Sequence, residues 1–367
     1  MPYTAICGAT FLQNTSKTPQ KMSRPFLVKD IALQAGLSLA TVDRVLNARP
    51  GVREHTVRRV KQAIGELEKQ RDQIGLSGRK LVLDVVMEAP ARFSEAVRQG
   101  LEQAMPSLQP VIFRARYHFA ETRSVNDTVA IIEALRRRGS NGVLLKAPDV
   151  VEVRAATAAL VGSGVPVVTL VTDLPDSGRQ AYVGMDNRAA GETAAYLLGE
   201  WLGGGPARIL VTISSNRFRG EEEREIGFRQ ALRERYPALG IVEVGEGHGL
   251  DRSTGMLALG ALRDHPDIEG VYSIGGGNRA IVEAFALLRR QCRAFVGHDL
   301  DADNLALLRA GRISAVLHHD LGQDMRNACL HVMRAHGLLP KSPVSGMAGI
   351  QIITPFNLPQ TAQTAQG

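Results

Sequence analysis

From residue 81 onward the chain alternates short apolar runs, rich in Val, Ile and Leu, with amphipathic stretches of helical period, and the alternation runs twice. This feature most narrows the folds open to the chain, because repeated strand–helix units of this size build a parallel sheet with helices on both faces. In the first series residues 81–87, 111–116, 142–145, 166–171 and 181–184 read as strands. Residues 93–105, 124–138, 150–161 and 187–201 read as its helices. A Gly-Gly-Gly-Pro run at 203–206 breaks the pattern. The second series has strands near 208–213, 241–244, 270–274, 294–297 and 313–317, and helices near 222–235, 254–263, 278–288, 304–310 and 320–336. A last strand at 349–353 is expected to return to the first half. Ligands of open α/β sheets bind outside the carboxyl ends of the strands, which here means a cleft between two lobes.

The segment ahead of this series is different. Residues 21–80 carry thirteen Lys and Arg against six Asp and Glu, which accounts for the whole formal net charge of +7. A basic head on a neutral body points to a polyanionic partner for the head and a separate task for the rest. Three short helices can be read in it. The first carries Val28, Ile31, Ala32 and Ala35 at helical spacing and ends at Gly36, suited to a left-handed stop. Ser38 is a good N-cap for a second helix, 39–46, with Val42, Val45 and Leu46 inward. The third spans about 54–67 with Val57, Val60, Ile64 and Leu67 as its stripe. Periodicity alone supports no more than a three-helix packing module with a solvated basic face; helix, tight Gly turn and short helix is also the geometry that lays a helix in the major groove.

The run KDIALQAGLSLATVDRVLN at 29–47, followed by Pro50-Gly51-Val52, closely resembles the head of the lactose-repressor (LacI/GalR) family. That resemblance implies an all-α helix-turn-helix head at 26–67 and a transcription regulator, with Leu39, Ala40 and Arg44 where base edges are read and Ser38, Thr41 and Asn47 near phosphates. The chemistry agrees, since Arg offers two donors to guanine, Leu and Ala meet thymine methyls and hydroxyls suit phosphate oxygens. Asp43 stands where the family most often has Ser, and Leu27 and Arg53 replace the usual hydroxyl caps before the first and third helices. A carboxylate near phosphates needs a partner, either a cytosine amino group or Arg44. The linker at 68–80 is shorter than in relatives; Ile74 or Leu76 is the candidate minor-groove wedge, with a flexible polar tether as the alternative.

The two series at 81–356 resemble the two-lobed sugar-binding fold shared by periplasmic binding proteins and this repressor family, two Rossmann-like lobes with crossing connections. By that likeness Arg224, Asn278, Asp299 and His319 are ligand contacts of the second lobe, and Phe93 and Asp173 of the first. Asn187 joins them by its place at a strand end, Asp186 being the better helix cap. Carboxylates, amides and an Arg in one cleft suit vicinal hydroxyls, and Phe93 could stack on a sugar ring. The bland readings are a turn for Asp173, an ion-pair cluster for Arg224 among Glu221, Glu222, Glu223 and Glu225, and packing for His298. His319 replaces a common Gln, and a His there would let binding respond to pH.

Other classes fit poorly. No stretch approaches the ~20 apolar residues of a membrane span. Apolar residues near 5–12 lack a basic segment ahead of them, so residues 1–25 read as a disordered extension, or translation starts at Met22, rather than as a signal peptide. Cys7, Cys292 and Cys329 are far apart and outside metal-ligand spacing, as suits a reducing cytoplasm and no metal. The glycine runs at 203–205 and 275–277 lack phosphate-loop context, and no catalytic triad or cofactor motif stands out. The expectation is therefore a ligand-responsive regulator, a repressor, that binds double-stranded operator DNA as a homodimer and senses a sugar, polyol or similar small polar molecule without a cofactor. An α/β enzyme acting on a sugar or nucleotide and a transport-type sugar-binding protein are the alternatives. The polar tail at 357–367 lacks heptads, which argues against a C-terminal coiled coil.

Overall fold

The computed structural model describes residues 26–76, 78–203, 205–340 and 347–359, for residues 69–76 in backbone only. The expected extension at 1–25 and the end of the tail lie outside the described residues. The chain divides into two compact units between residues 77 and 78.

The first unit is three helices, α1 (Val28–Ala35), α2 (Leu39–Leu46) and α3 (Glu54–Leu76). Ile31, Ala32, Val42 and Val60 form its buried centre, with Leu37, Val45, Leu46 and Ile64 packed around them. Gly36 closes α1 in the left-handed region at φ 59°, and the Ser38 side chain caps α2 by accepting from the Thr41 amide at 3.2 Å. Leu27, at the N-cap of α1, makes no side-chain cap bond. Helix α3 continues to Leu76, nine residues past the expected end near Leu67. The reason is local: the apolar stripe stops at Leu67, but Glu68, Lys69, Gln70, Arg71 and Gln73 are good helix formers that carry the helix on. The wedge side chains proposed for Ile74 and Leu76 lie outside the described residues.

The second unit has two sheets. β1 (Lys80–Glu88), β2 (Ile112–Ala120), β3 (Gly142–Lys146), β4 (Val167–Leu170) and β5 (Ala181–Val183) form a parallel sheet in the order β2-β1-β3-β4-β5. Helices α4 (Ala91–Ala104), α5 (Val125–Arg138) and α6 (Val151–Gly162) connect the first four strands. The other sheet contains β6 (Ala207–Thr212), β7 (Leu239–Val244), β8 (Ile268–Ser273), β9 (Ala294–His298), β10 (Ala315–His318) and β11 (Gln351–Ile353) in the order β11-β10-β9-β8-β6-β7. Its helices are α8 (Arg219–Arg235), α9 (Asp251–Asp264), α10 (Asn278–Leu287) and α11 (Ala302–Arg309).

Two further helices change sides. α7 (Asn187–Leu202) leaves the first sheet at β5 yet packs on α8, β8 and β9 of the second lobe. α12 (Leu321–Ala335) leaves β10 and packs on α4, β4 and β5 of the first. The expected return of the last strand is corrected: β11 pairs antiparallel with β10 at the edge of the second sheet, and the segment before it reaches the first half through a bridge between Met185 and Ala348. Ile353 on β11 buries its side chain in the second-lobe core, which is the apolar partner that decides the matter.

Small residues on α7 let it approach α8 at backbone distance. A Cβ on Gly191 would stand 1.9 Å from the Arg224 carbonyl oxygen, and one on Gly227 would stand 2.2 Å from that of Arg188. Ala190, Ala194, Leu198, Phe228 and Leu232 are buried alongside, in the core cluster that backs the second sheet. This close packing places the start of α8, and with it Arg224.

Candidate functional site

The outer face of α2 presents Ser38, Leu39, Ala40, Arg44 and Asn47 to solvent, with Thr41 half-buried and Val42 opposite in the core. Leu39 is 56% exposed, an apolar side chain left bare on that face. Among the described residues, Asp43 is held by Asn47 and Arg49 rather than by Arg44. Its Oδ1 accepts from the Asn47 side-chain amide at 2.7 Å, and Arg49 lies 3.5 Å from its Oδ2. The Ser38 hydroxyl is shared between capping and Thr41 Oγ1 at 2.8 Å.

In the second unit a cleft opens between the carboxyl ends of the two sheets, with about 780 Å³ of empty space, its open mouth included. Of the seven residues expected there, Phe93, Arg224 and Asp299 line it. Arg224 is 3% exposed. Its Nε donates to Asn187 Oδ1 at 2.8 Å, and its Nη2 is buried without a hydrogen-bond partner. Asp299 follows β9 in the left-handed region at φ 63°, with Oδ1 also buried and unpartnered. Burial by itself raises the Asp299 carboxyl, but His319 and Arg224 outweigh it and hold the group below the ordinary carboxylate range.

The other four stand one step behind the lining. Asn187 orients Arg224 and donates to the Val171 carbonyl at 3.0 Å and to Tyr182 Oη at 3.1 Å. Asn278 donates to Asn304 Oδ1 at 2.6 Å, and Asn304, which does line the cleft, donates to the carbonyls of His298 and Asp299. His319 is 1% exposed and lies between Asp324 and Asp299. Asp173 is absent from the lining. Its carboxylate is taken up by both faces of the Arg179 fork, by Thr169 Oγ1 at 2.8 Å and by the Leu174 amide at 2.8 Å. The turn reading of Asp173 is the one this geometry favours, because an acceptor already holding four donors has little left for a ligand.

Sequence reasoning missed the first-lobe counterpart. Glu88 and Lys146 end β1 and β3, both are buried, and both line the cleft. Glu88 Oε1 accepts from Arg217 at 3.1 Å while its Oε2 is unpartnered. Lys146 donates to the Glu88 carbonyl at 2.9 Å and lies 4.1 Å above the Phe218 ring. Burial pushes the Lys146 amine down, with Glu221 and Glu88 resisting. A usable signal was present: each is the charged residue that closes an apolar strand, at the end where ligands bind.

Two family models match, and they divide the chain between them. The model of the bacterial regulatory proteins of the lacI family covers residues 27–70, and that of the periplasmic binding protein domain covers residues 85–337. The chain is a lacI-family transcriptional regulator. An HTH-type transcriptional regulator in the aml 5' region of Streptomyces limosus is 29% identical to it over 294 residues, 77% of this chain and 73% of the relative. Among solved structures, GanP, a glucose-galactose binding protein from Geobacillus stearothermophilus, has a TM-score of 0.67 at 22% identity, over 77% of this chain and 99% of its own. A solute-binding protein of an ABC transporter from Burkholderia graminis, in complex with D-arabinose, has a TM-score of 0.67 at 20% identity, over 79% of this chain and 98% of its own. These structural likenesses establish the fold of the regulator's larger unit. No described helix is long and apolar enough to cross a membrane.

Proposed function

We propose that this regulator senses a neutral polyhydroxylated molecule, a pentose, hexose or polyol, in the cleft between its lobes, and that it binds a roughly palindromic operator as a cytoplasmic homodimer. The observation that carries the effector reading is the set of buried, unpartnered atoms in one cleft: the donor Arg224 Nη2 with the acceptors Asp299 Oδ1 and Glu88 Oε2. Unsatisfied buried polar groups cost roughly 1–3 kcal/mol each. Hydroxyls both donate and accept, so a diol satisfies an Arg and a carboxylate together. Phe93 and Phe218 supply apolar surface for the face of a ring. The glucose-galactose and D-arabinose proteins of the same fold support this reading, and no catalytic role is proposed for the cleft.

Charge narrows the class. Glu88, Glu121, Glu221, Asp299 and Asp301 line the cleft against Arg92, Lys146 and Arg224. Acid outnumbers base, so a phosphorylated sugar is expected to bind more weakly than its parent. A thermal-shift panel of pentoses, hexoses, polyols, their phosphates and nucleosides tests this. A ligand at 100 times its dissociation constant stabilises by ~2.7 kcal/mol, which for a unit of this size is roughly 5–10 °C. A phosphate or nucleoside giving the largest shift would displace the neutral-sugar reading.

On the DNA side, two heads on a dimer meet two half-sites, which is what this head type requires for specific affinity. Arg44→Ala is expected to cost ~1–3 kcal/mol of specific binding, read by gel retardation of the regulator's own upstream DNA against a scrambled fragment. An unchanged specific affinity would remove Arg44 from base reading. Effector closure of the cleft must favour one DNA-binding state by the coupling energy, typically ~1–3 kcal/mol.

A further inference from the structure

The segment between β10 and α12 is one of the places where the chain crosses from the second lobe to the first, and it carries a side chain that the cleft does not use. His319 follows the last residue of β10, and Asp320 is the N-cap of α12, its carboxylate accepting from the Gln323 amide at 2.9 Å. His319 Nδ1 is hydrogen-bonded to Asp324 Oδ2, within the first turn of α12. Its Nε2 faces Asp299 Oδ1 at 3.7 Å. The ring therefore lies buried between two carboxylates, hydrogen-bonded to Asp324 and in charge contact with Asp299 beyond hydrogen-bond length, a setting that favours its charged form.

We propose that His319 is a positioning residue, a buried imidazolium that ties the cleft-lining carboxylate of Asp299 in the second lobe to the start of helix α12, which packs on the first. Asp299 lines the cleft and α12 touches α4, whose first turn supplies Arg92 and Phe93 to the same cleft. The α4–α12 contact is made at backbone level, since a Cβ on Gly100 would stand 3.2 Å from the carbonyl carbon and oxygen of Leu321. A ligand that takes up Asp299 thereby acts on an ion pair whose other end is the crossing helix. The proposal deepens the effector reading, because Asp299 matters to regulation only if the cleft takes a ligand.

The surroundings agree. Burial works against the charge on His319, but Asp299 and Asp324 outweigh it and push the group up to about 9. The neighbouring ionisable groups are His318 on β10, His298 on β9, Arg224 on α8 and Asp320 at the cap of α12. Burial and the charge of His319 push His318 down to about 4, and burial and Arg224 push His298 well below its usual value, so both are neutral where His319 is charged. The pH response anticipated for a histidine here is thus moved out of the neutral range. A group raised from 6.5 to about 9 stabilises the fold fully below pH 6.5, and that contribution is lost as pH rises through 9.

The test uses the full-length protein without effector, so its outcome is separate from the sugar reading. In histidine-labelled protein, NMR titration of the imidazole signals from pH 5 to 10 is expected to show one of the nine histidines titrating above pH 8, absent in His319→Gln. In Asp324→Asn its midpoint is expected to fall by at least roughly one unit, a tenfold loss of proton affinity. Asp299→Asn is expected to lower the same midpoint and to speed amide exchange in the first turn of α12 by roughly tenfold. A midpoint at or below 6.5 in the wild type overturns the proposal. So does a midpoint that ignores both carboxylate variants, or exchange on α12 that ignores Asp299→Asn.

Discussion

Arg224→Met is expected to weaken effector binding by thirtyfold or more, roughly 2–5 kcal/mol, when titrated calorimetrically with the sugar that gives the largest thermal shift. The side chain is buried but lines the cleft, its Nε is held by Asn187, and its Nη2 has no hydrogen-bond partner. Holding the guanidinium in advance removes most of the ordering cost that a flexible donor pays on binding. Methionine keeps the apolar stem and deletes the fork, so the loss reports the hydrogen bonds rather than packing. Arg224→Lys separates charge from geometry: a single ammonium cannot engage Asn187 and two ligand oxygens in one plane, and most of the loss is expected to persist. Binding within threefold of wild type for the methionine variant would remove Arg224 from the site and with it the main support for the sugar reading. Asn187→Ala should reproduce part of the loss, since its effect runs through the orientation of Arg224.

Gly191→Val is expected to destabilise the larger unit by ~3 kcal/mol or more, lowering its melting temperature by roughly 6–12 °C. The first added carbon already falls 1.9 Å from the Arg224 carbonyl oxygen and 2.8 Å from the Phe228 nitrogen. Neither is a flexible side-chain end that can swing aside, so α7 and α8 must separate and the core cluster behind them must open. Because α8 carries Arg224, binding should fall together with stability. Gly260→Ala on α9 is the control, with nothing within 4 Å of the added carbon. There the loss of unfolded-state freedom dominates, and a change of up to about 1 kcal/mol in the stabilising direction is expected. Equal melting temperatures for wild type and Gly191→Val would mean that the two helices do not meet at backbone distance.

Much of the architecture was legible before any coordinates. The strands and helices of both lobes fall where apolar periodicity put them, because periodicity records which face of each element is buried and needs only neighbours in sequence. The head was legible twice over, from the Gly36 stop and Ser38 cap, and from the dense motif around Arg44. Where the reading fell short, the deciding partner was remote or the local cue was of another kind. α3 outran its apolar stripe on helix propensity alone. β11 was assigned to the wrong half because a three-residue strand holds no information about its pairing partner.

The candidate site divides along the same line. The sequence by itself determined that Arg224, Asn278, Asp299, His319 and Asn187 stand at strand ends and helix starts, since these positions follow from element boundaries. Only the tertiary structure decided what each does there. Asp173 is consumed by Arg179, Asn278 and His319 stand behind the lining, and Glu88 and Lys146 stand in it. Helix α7 and helix α12 change lobes, which no local pattern records. The physical reason is that a polar side chain's role depends on which donors and acceptors are left over once its neighbours are satisfied. That balance is struck between residues far apart in the chain, whereas the burial pattern that makes a strand or a helix is written within a few turns of it.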